Sequence, residues 1–453
     1  MRIQWLLAVF VLLGVAAAAQ QATGLVNTNL IRTVSLANLP YVMEQIGVVV
    51  QNDHSSKVFK TYTLPAVDAL PLSSQQAFER KSGVELNIVD GKAVLKKPLQ
   101  PGEKLSINVE RVLYTGAMPV GRVGQTEDQV WEWPAQMVSS VYPIRKQKTV
   151  VSVPGEIKQH VNATVEGRKA TFVAPGVIRF KANGVQLMAT YRREYFVSHW
   201  ANDLNILDHY DMRSLAPQPR ASFDKVSQLM AKFMKTRDNF VKTLLVKVPR
   251  EAREMYVVDE IGNVSTSLVA SAREEFKVMQ LRPRYPMLGG WNYTWWHGYS
   301  VPLTGYLRTE GTKYRLRVPF MGSIAGCAES QDQLTVAMAE ARNTLVSQYE
   351  LRVVLPEGAH DVSVRAAPTG DIRLVPLKYY LDSTGRTVVV VEARNVAPGM
   401  ADQDVLVEYE YPGWALWQKP MVVGGVVFVL FMLASLVNRL HLGLATREAG
   451  IKS

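Results

Sequence analysis

One apolar stretch near the C-terminal end of this 453-residue chain constrains its fold more than any other feature. Residues 421–437 read MVVGGVVFVLFMLASLV, which is uncharged, mostly apolar and without a polar face. At about 1.5 Å per residue the stretch is short for a hydrocarbon core of about 30 Å, but flanking groups can extend its reach. Because uniform apolarity suits lipid better than a globular surface, we predict one membrane crossing; a buried core helix is the alternative.

The residues around this stretch, and those at the other end of the chain, predict its orientation. Trp414 and Trp417 precede it where the headgroup layer would lie, and basic residues, including Arg439, follow it as expected on the cytoplasmic side. Residues 1–19 combine a basic start, an apolar run and a small-residue cleavage site, which is the pattern of a secretory signal peptide; a first transmembrane helix is the alternative. We therefore predict a single-pass type I protein with a lumenal body and a short cytosolic tail.

Composition narrows the classes of partner. Lys and Arg number 51 against 40 for Asp and Glu, but the basic residues are scattered, and a translocated body would not meet nucleic acid. Cys327 is the only cysteine, so an intramolecular disulfide is impossible, and we interpret this residue as a small buried hydrophobe. The body must then be held together by its cores and by partner proteins.

Apolar and polar residues alternate through most of the body, which predicts a mainly β fold. Ile46, Val48 and Val50 alternate with Gly47, Val49 and Gln51, and this period of two is typical of half-buried antiparallel strands. Apolar residues at helical spacing interrupt the pattern in residues 222–245, with Ser222 as a possible N-cap, and again in residues 331–348. We expect the apolar stripe of the first helix to pack on a sheet; a membrane-surface helix is the alternative.

These patterns together predict two lumenal β-sandwich-like domains with a few helices, followed by one C-terminal transmembrane helix. The predicted division is a signal peptide at residues 1–19, a first β-rich domain at 20–221, a helical connector at 222–245, a second β-rich domain at 246–412, a membrane anchor at 413–440 and a cytosolic tail at 441–453.

Motifs for catalysis are almost absent. The chain has no Walker loop, no HExxH, no GxSxG and no clustered Cys and His, so we predict no catalytic, cofactor-binding or metal-binding residues. Asp402 and Asp404 form a D-x-D, which could hold a divalent cation in a glycosyltransferase but fits a solvated turn better.

Two groups of residues remain as candidate sites. Three N-x-S/T sequons allow N-glycosylation, at Asn162, Asn263 and Asn292. An aromatic cluster could contact a sugar, a peptide or another subunit, and a plain aromatic core is the alternative. Its members are Tyr285, Trp291, Tyr293, Trp295, Trp296 and Tyr299.

Several segments of the body resemble one known family. Residues 259–267 (DEIGNVSTS) and 282–291 (RPRYPMLGGW) resemble the most recognisable part of the ribophorin I family. Shorter matches occur elsewhere in the chain, in the same order as in that family. They are Pro101-Gly102, Tyr142-Pro143, Ser198-His199-Trp200, residues 355–359 (LPEGA), Leu381-Asp382 and Gly385-Arg386.

The resemblance implies a non-catalytic subunit of the oligosaccharyltransferase complex of the endoplasmic reticulum, which N-glycosylates nascent proteins. It implies that the catalytic residues lie in a separate multi-spanning subunit, and that the partners are this and other subunits of the complex, nascent polypeptides and membrane lipid. The role expected for the chain is complex assembly and handling of the acceptor polypeptide. A single-pass lumenal glycosyltransferase and a cell-surface adhesion or receptor module are the alternatives.

Overall fold

Strands dominate the computed structural model, which describes residues 24–439 except 38, 67–70, 115, 183–185, 234–238, 272–275, 328–343, 367–369, 380–381 and 397–402. Within these residues there are 27 strands, two α-helices and one short 3₁₀ helix, Leu303–Gly305. The mainly β fold predicted from alternation is confirmed. The predicted signal peptide and most of the predicted cytosolic tail lie outside the described residues.

The N-terminal part of the body is a nine-stranded sheet with a small sheet packed on it. In spatial order the large sheet contains β4 (Leu72–Glu79), β7 (Lys104–Tyr114), β2 (Tyr41–Asn52), β1 (Leu25–Ser35), β10 (Gln147–Ser152), β12 (Lys169–Lys181), β9 (Val130–Ala135) and β8 (Met118–Pro119), with β11 (Ile157–Glu166) also pairing with β12. The small sheet contains β3 (Phe59–Thr63), β6 (Lys92–Leu99) and β5 (Ile88–Val89). Ile46, Val48 and Val50 are buried in the core between the two sheets, as their alternation predicts.

The C-terminal part of the body contains three sheets around one core. The largest has seven strands, in the order β16 (Arg253–Asp259), β19 (Asn292–Pro302), β14 (Asp203–Ser214), β13 (Leu187–Ser198), β23 (Thr344–Val354), β26 (Arg386–Val396) and β25 (Asp371–Leu377). One four-stranded sheet contains β17 (Leu268–Ser271), β18 (Phe276–Leu281), β15 (Thr243–Pro249) and β22 (Ser323–Cys327), and the other contains β20 (Leu307–Glu310), β21 (Lys313–Pro319), β27 (Asp404–Glu410) and β24 (His360–Ala366). Leu351, Val246 and Val407, one from each sheet, belong to the same buried cluster.

Strand pairing in the seven-stranded sheet bears on the predicted domain boundary. Strands β13 and β14 precede residue 222, but β13 pairs in parallel with β23 and β14 pairs antiparallel with β19. A division at residue 222 would therefore cut through one continuous sheet. The domain limits stay a prediction, and we propose to move the division to the connection between β12 and β13.

The first described helix, α1 (Lys225–Phe233), is shorter than predicted. Its N-cap is Asp224, whose carboxylate accepts the backbone N–H groups of Val226 and Ser227 at 3.0 and 2.9 Å, so the assignment of Ser222 as N-cap is wrong. The expected packing of the apolar stripe on a sheet is wrong for Val226, Met230 and Phe233, which are exposed. Its remaining member, Phe223, is half-buried and meets Phe240 edge-on at 5.6 Å. The helix cannot extend to residue 245, because the β-branched and aliphatic run that begins at residue 243 forms β15.

The second predicted helix is contradicted where the structure describes it. Thr344 begins β23, and Leu345 is buried in this strand between β13 and β26. The sequence TLVSQYELRVV is rich in β-branched and aromatic residues, and pairing on both sides outweighs an apparent helical spacing. The rest of this prediction, residues 331–343, lies outside the described residues.

The C-terminal helix α2 (Ala415–Arg439) contains the predicted membrane stretch. Together with the two residues before it, this helix is long and apolar enough to cross a membrane, and none of its most apolar window is buried against the body. It begins six residues before the apolar run, so that its first turns lie against the body.

Candidate functional site at the base of the membrane helix

The first turn of α2 is packed directly on the body. Ala415 lies against Gly358, where an added β carbon would be 2.9 Å from the Ala415 Cβ and where φ is +91°. Both conditions require glycine, because an L side chain rarely adopts this φ and would also collide with the helix. On another side of the turn, Trp200 Nε1 donates a hydrogen bond to the Leu416 carbonyl oxygen at 2.9 Å.

The second turn of α2 binds residues 382–385, which belong to the connection between β25 and β26. Gln418 Nε2 donates to Ser383 Oγ at 2.7 Å, and Lys419 Nζ donates to Asp382 Oδ1, also at 2.7 Å. Strands β25 and β26 form an antiparallel hairpin, and Gly385 supplies the positive φ of +86° that its turn requires.

Two buried carboxylates hold this turn in shape. Glu357 accepts hydrogen bonds from the backbone N–H and the hydroxyl of both Ser383 and Thr384, at 2.7 to 3.1 Å. Burial opposes the charge of Glu357, but these hydrogen bonds outweigh it and lower its pKa. Asp382 is likewise penalised by burial, and the hydrogen bonds from Lys419, from Arg386 and from the Tyr379 N–H lower its pKa to about 2. Both carboxylates are therefore charged at neutral pH.

His199 and three tyrosines fill the space beside this contact. His199 Nε2 lies 2.9 Å from the Tyr409 hydroxyl, and the His199 ring stacks on Tyr411 with 4.6 Å between centroids. Tyr314 meets the same imidazole edge-on at 4.9 Å. Burial lowers the pKa of His199 to about 4, so the ring is neutral in this contact.

We call this set of contacts the helix junction: residues 198–200, 356–358, 382–386 and 411–419. It brings together three of the short segments that carry the family resemblance, namely Ser198-His199-Trp200, LPEGA and Gly385-Arg386. Their chain positions gave no sign that they meet. The physical consequence is that the direction of α2 is tied to the seven-stranded sheet by apolar packing, hydrogen bonds and an ion pair.

The aromatic residues predicted as a contact surface are divided between the core and the surface. Along β19, alternation turns Tyr293, Trp295 and Tyr299 into the core, while Trp296 faces outward, half-buried, and stacks on His209. Tyr285 and Trp291 are exposed and meet edge-on at 5.8 Å. Only Tyr285, Trp291 and Trp296 can therefore meet another molecule in this conformation, and that contact stays a prediction.

A buried row of ionisable side chains crosses three strands of the same sheet. Arg193 on β13, Asp208 on β14 and His297 on β19 are cross-strand neighbours. Asp208 lies 3.2 Å from Arg193 Nε and 3.1 Å from His297 Nε2, and it accepts the Tyr191 hydroxyl at 2.8 Å. Burial opposes the charge of Asp208, but Arg193 and His297 outweigh it and lower its pKa. Sequence reasoning missed this row because each member is isolated along the chain.

Comparison with known proteins decides the family. The ribophorin I family model matches residues 25–438, which include the helix junction and all five sheets. The chain belongs to the ribophorin I family.

Three ribophorin I relatives with curated names come from a plant, a nematode and a yeast. Dolichyl-diphosphooligosaccharide–protein glycosyltransferase subunit 1B of Arabidopsis thaliana is 28 % identical over 74 % of this chain and 72 % of its own length. Subunit 1 of Caenorhabditis elegans is 25 % identical over 78 % of this chain but only 60 % of its own length, and subunit 1 of Schizosaccharomyces pombe is 21 % identical over 91 % of this chain and 94 % of its own length. An M1 zinc metallopeptidase from Deinococcus radiodurans overlaps 39 % of this chain with a TM-score of 0.24, which is too low to support any argument.

The three sequons of this ribophorin I family member all lie on the surface. Asn162 on β11, Asn263 and Asn292 on β19 have exposed side chains. Asn162 has a φ of +58°, and its Nδ2 donates to the Pro175 carbonyl oxygen at 2.9 Å. Each position is sterically open to a glycan, and whether it carries one stays a prediction.

In the D-x-D motif of this ribophorin I family member, Asp404 forms an ion pair with an arginine. Asp404 lies 2.6 Å from Arg317, and Asp402 lies outside the described residues. In the described part of the chain, one group could offer three ligand atoms to a metal ion: His360, Asp361 and Glu410, whose atoms lie within 4.8 Å of one another. His360 and Asp361 are exposed, and exposed acidic groups of this kind are common without an ion.

Proposed function

We propose that this protein is a non-catalytic subunit of an oligosaccharyltransferase complex, which N-glycosylates nascent proteins in the endoplasmic reticulum. The family match over residues 25–438 and the printed names of the relatives support membership of such a complex. The observation that carries the scaffold role is the helix junction, because it couples a membrane helix rigidly to a large β body.

The proposed topology is single-pass type I, with the body in the lumen and a short tail in the cytosol. Every large apolar side chain of residues 421–437 is exposed along α2, so these side chains are available to lipid or to helices of partner subunits. Gly424 and Gly425 have open space where a β carbon would stand, which suits close approach of another helix. We propose that α2 packs against the catalytic, multi-spanning subunit or its neighbours.

The proposed task of the body is to hold or present the acceptor polypeptide beside the catalytic subunit. The exposed aromatic residues Tyr285, Trp291 and Trp296 are candidates for contact with the acceptor or with a neighbouring subunit, because large aromatic side chains contribute strongly to interfaces.

A replacement of the anchor tests whether α2 mediates assembly into the complex. Residues 421–437 are exchanged for an unrelated apolar helix of equal length, while residues 411–420 are kept so that the helix junction still forms. We expect the variant to fold and insert but to be lost from the complex purified through the catalytic subunit. Undiminished co-purification would show that α2 does not mediate assembly.

A second experiment addresses catalysis. The full chain, purified alone in detergent or nanodiscs, is incubated with lipid-linked oligosaccharide and an acceptor peptide. We expect no transfer until the other subunits are added. Transfer by the isolated chain would overturn the non-catalytic role.

A further inference from the structure

The last strand of the seven-stranded sheet, β25, has an unusual surface for a sheet edge. Among the described strands it pairs only with β26, so its other edge is unpaired in the part of the chain that the structure describes. Its apolar side chains are also largely uncovered: Ile372 is 46 % exposed, Leu374 is 52 % exposed and Val375 is 41 % exposed. Asp371, Arg373 and Pro376 blunt this edge in part, but the apolar side chains between them still form a template for another strand.

Both faces of β25 continue buried apolar surfaces of the sheet. Ile372 and Leu374 stand opposite Val391 and Val389 of β26, which belong to the main core. On the other face, Val375 stands opposite Val388, which belongs to a small cluster with Val354, Val390 and Leu377. A strand added beside residues 371–375 would therefore gain main-chain hydrogen bonds, which Pro376 cannot donate because it has no N–H, and apolar contacts on both of its faces.

The edge also lies at the membrane end of the body. After Leu377, β25 leads into the turn that binds Gln418 and Lys419 at the base of α2. Its seven residues extend about 23 Å from that point. The opposite edge, β16, is six strand spacings away, or about 29 Å.

We propose that β25 binds an extended segment of the acceptor polypeptide by β-strand addition. Acceptors of N-glycosylation differ in sequence, and strand addition suits them because its main-chain hydrogen bonds do not depend on side chains. The apolar side chains at the edge would favour segments with apolar or β-branched residues at alternate positions. This inference rests on the proposed function and gives the acceptor-handling role a definite place in the fold.

Photo-crosslinking from the edge tests the inference. A benzophenone amino acid replaces Leu374 in the full chain within the purified complex, and a radiolabelled acceptor peptide of extended conformation is the probe. The matched control carries the same crosslinker at Tyr256, which is 46 % exposed on the opposite edge strand β16. We expect the peptide to crosslink at position 374 at least about fivefold more than at position 256, the ratio expected for one added hydrogen bond of about 1 kcal/mol.

A charge at the edge provides a second measurement. Ile372→Lys keeps every hydrogen bond with β26 but places an ammonium group beside the added strand. We expect it to reduce crosslinking at position 374 by about fivefold or more. Val161→Lys, at an exposed apolar position on β11, is the control and should leave the yield unchanged.

The outcomes separate this inference from the proposed function. If the chain co-purifies with the complex but position 374 captures a neighbouring subunit, a second copy of this chain or nothing at all, the inference fails and the proposed function stands. If the chain does not co-purify, the proposed function itself fails. Equal yields at positions 374 and 256 would also overturn the inference.

Discussion

The contact between Asp382 and α2 offers the sharpest test of the helix junction. The side chain of Asp382 is fully buried and accepts hydrogen bonds from Lys419 Nζ at 2.7 Å, from Arg386 Nε at 3.0 Å and from the Tyr379 N–H at 3.0 Å. Asp382→Asn keeps the shape of the side chain but removes its charge. Arg386, whose side chain is only 11 % exposed, would then lack an anionic partner.

The expected cost lies between that of a buried and that of an exposed ion pair. Removing one partner of a buried pair costs about 3–5 kcal/mol, but Lys419 is 38 % exposed and part of its attraction is screened. We therefore expect Asp382→Asn to destabilise the turn by about 2–3 kcal/mol, and Lys419→Met by about 1 kcal/mol. For local opening, 2–3 kcal/mol corresponds to about 30- to 150-fold faster exchange.

Hydrogen exchange of the full chain in nanodiscs, followed by mass spectrometry, measures this opening. The reporters are the amides of Ser383 and Thr384, which donate to Glu357. Arg317→Gln is the control, because it breaks an exposed pair with Asp404 in another sheet and should leave these amides unchanged. An increase below about threefold for Asp382→Asn, or about 0.7 kcal/mol, would refute the reasoning.

Three further predictions follow from the same structure. Asp208→Ala leaves Arg193 and His297 buried without an anion and should lower the free energy of unfolding by about 3–5 kcal/mol, measured by chemical denaturation; exposed Asp211→Ala should change it by less than about 0.5 kcal/mol. Gly358→Ala, at a φ of +91° and against Ala415, should destabilise the helix junction by about 1–3 kcal/mol and speed proteolysis there, while Gly305→Ala, which has open space around it, should not. The depressed pKa of Asp382 should stabilise the junction above pH 4 and lose this effect as the pH falls from about 4 to about 2. That contribution is about 1–2 kcal/mol after solvent screening, and stability that is flat across this pH range would contradict it.

Sequence patterns predicted the strands that have one solvent-exposed face and one buried face. In β2, Ile46, Val48 and Val50 face the core while Gln45 is exposed, so that the period of two is visible in the sequence. The pattern fails in β23, where Leu345 and Val346 are successive buried residues. A central strand with both faces covered has no polar side to reveal its period, and its apolar residues can coincide with a helical spacing.

The helix junction could not be predicted, because its parts are distant along the chain. Trp200, Glu357 and Asp382 come from the ends of different strands, and only the order of strands in the sheet brings them to α2. The buried row of Arg193, Asp208 and His297 depends in the same way on the register of three strands. For α1 the sequence predicted a contact that the structure does not contain among the residues it describes. Apolar residues at helical spacing predict one face of a helix, but they do not show what covers that face.

The seven-stranded sheet connects the helix junction to the β25 edge. Its strand β13 leads into Trp200, and the hairpin of β25 and β26 supplies Asp382, so two different parts of the sheet bind the base of α2. A helix held at one point could swivel, whereas a helix held from two sides of its first two turns cannot turn without moving the sheet. Partner helices that fix α2 in the membrane would therefore also fix the direction of the β25 edge. The proposed strand addition at β25 and the proposed assembly through α2 would thus depend on the same junction, and Asp382→Asn should weaken capture of an acceptor at position 374 while the chain remains in the complex.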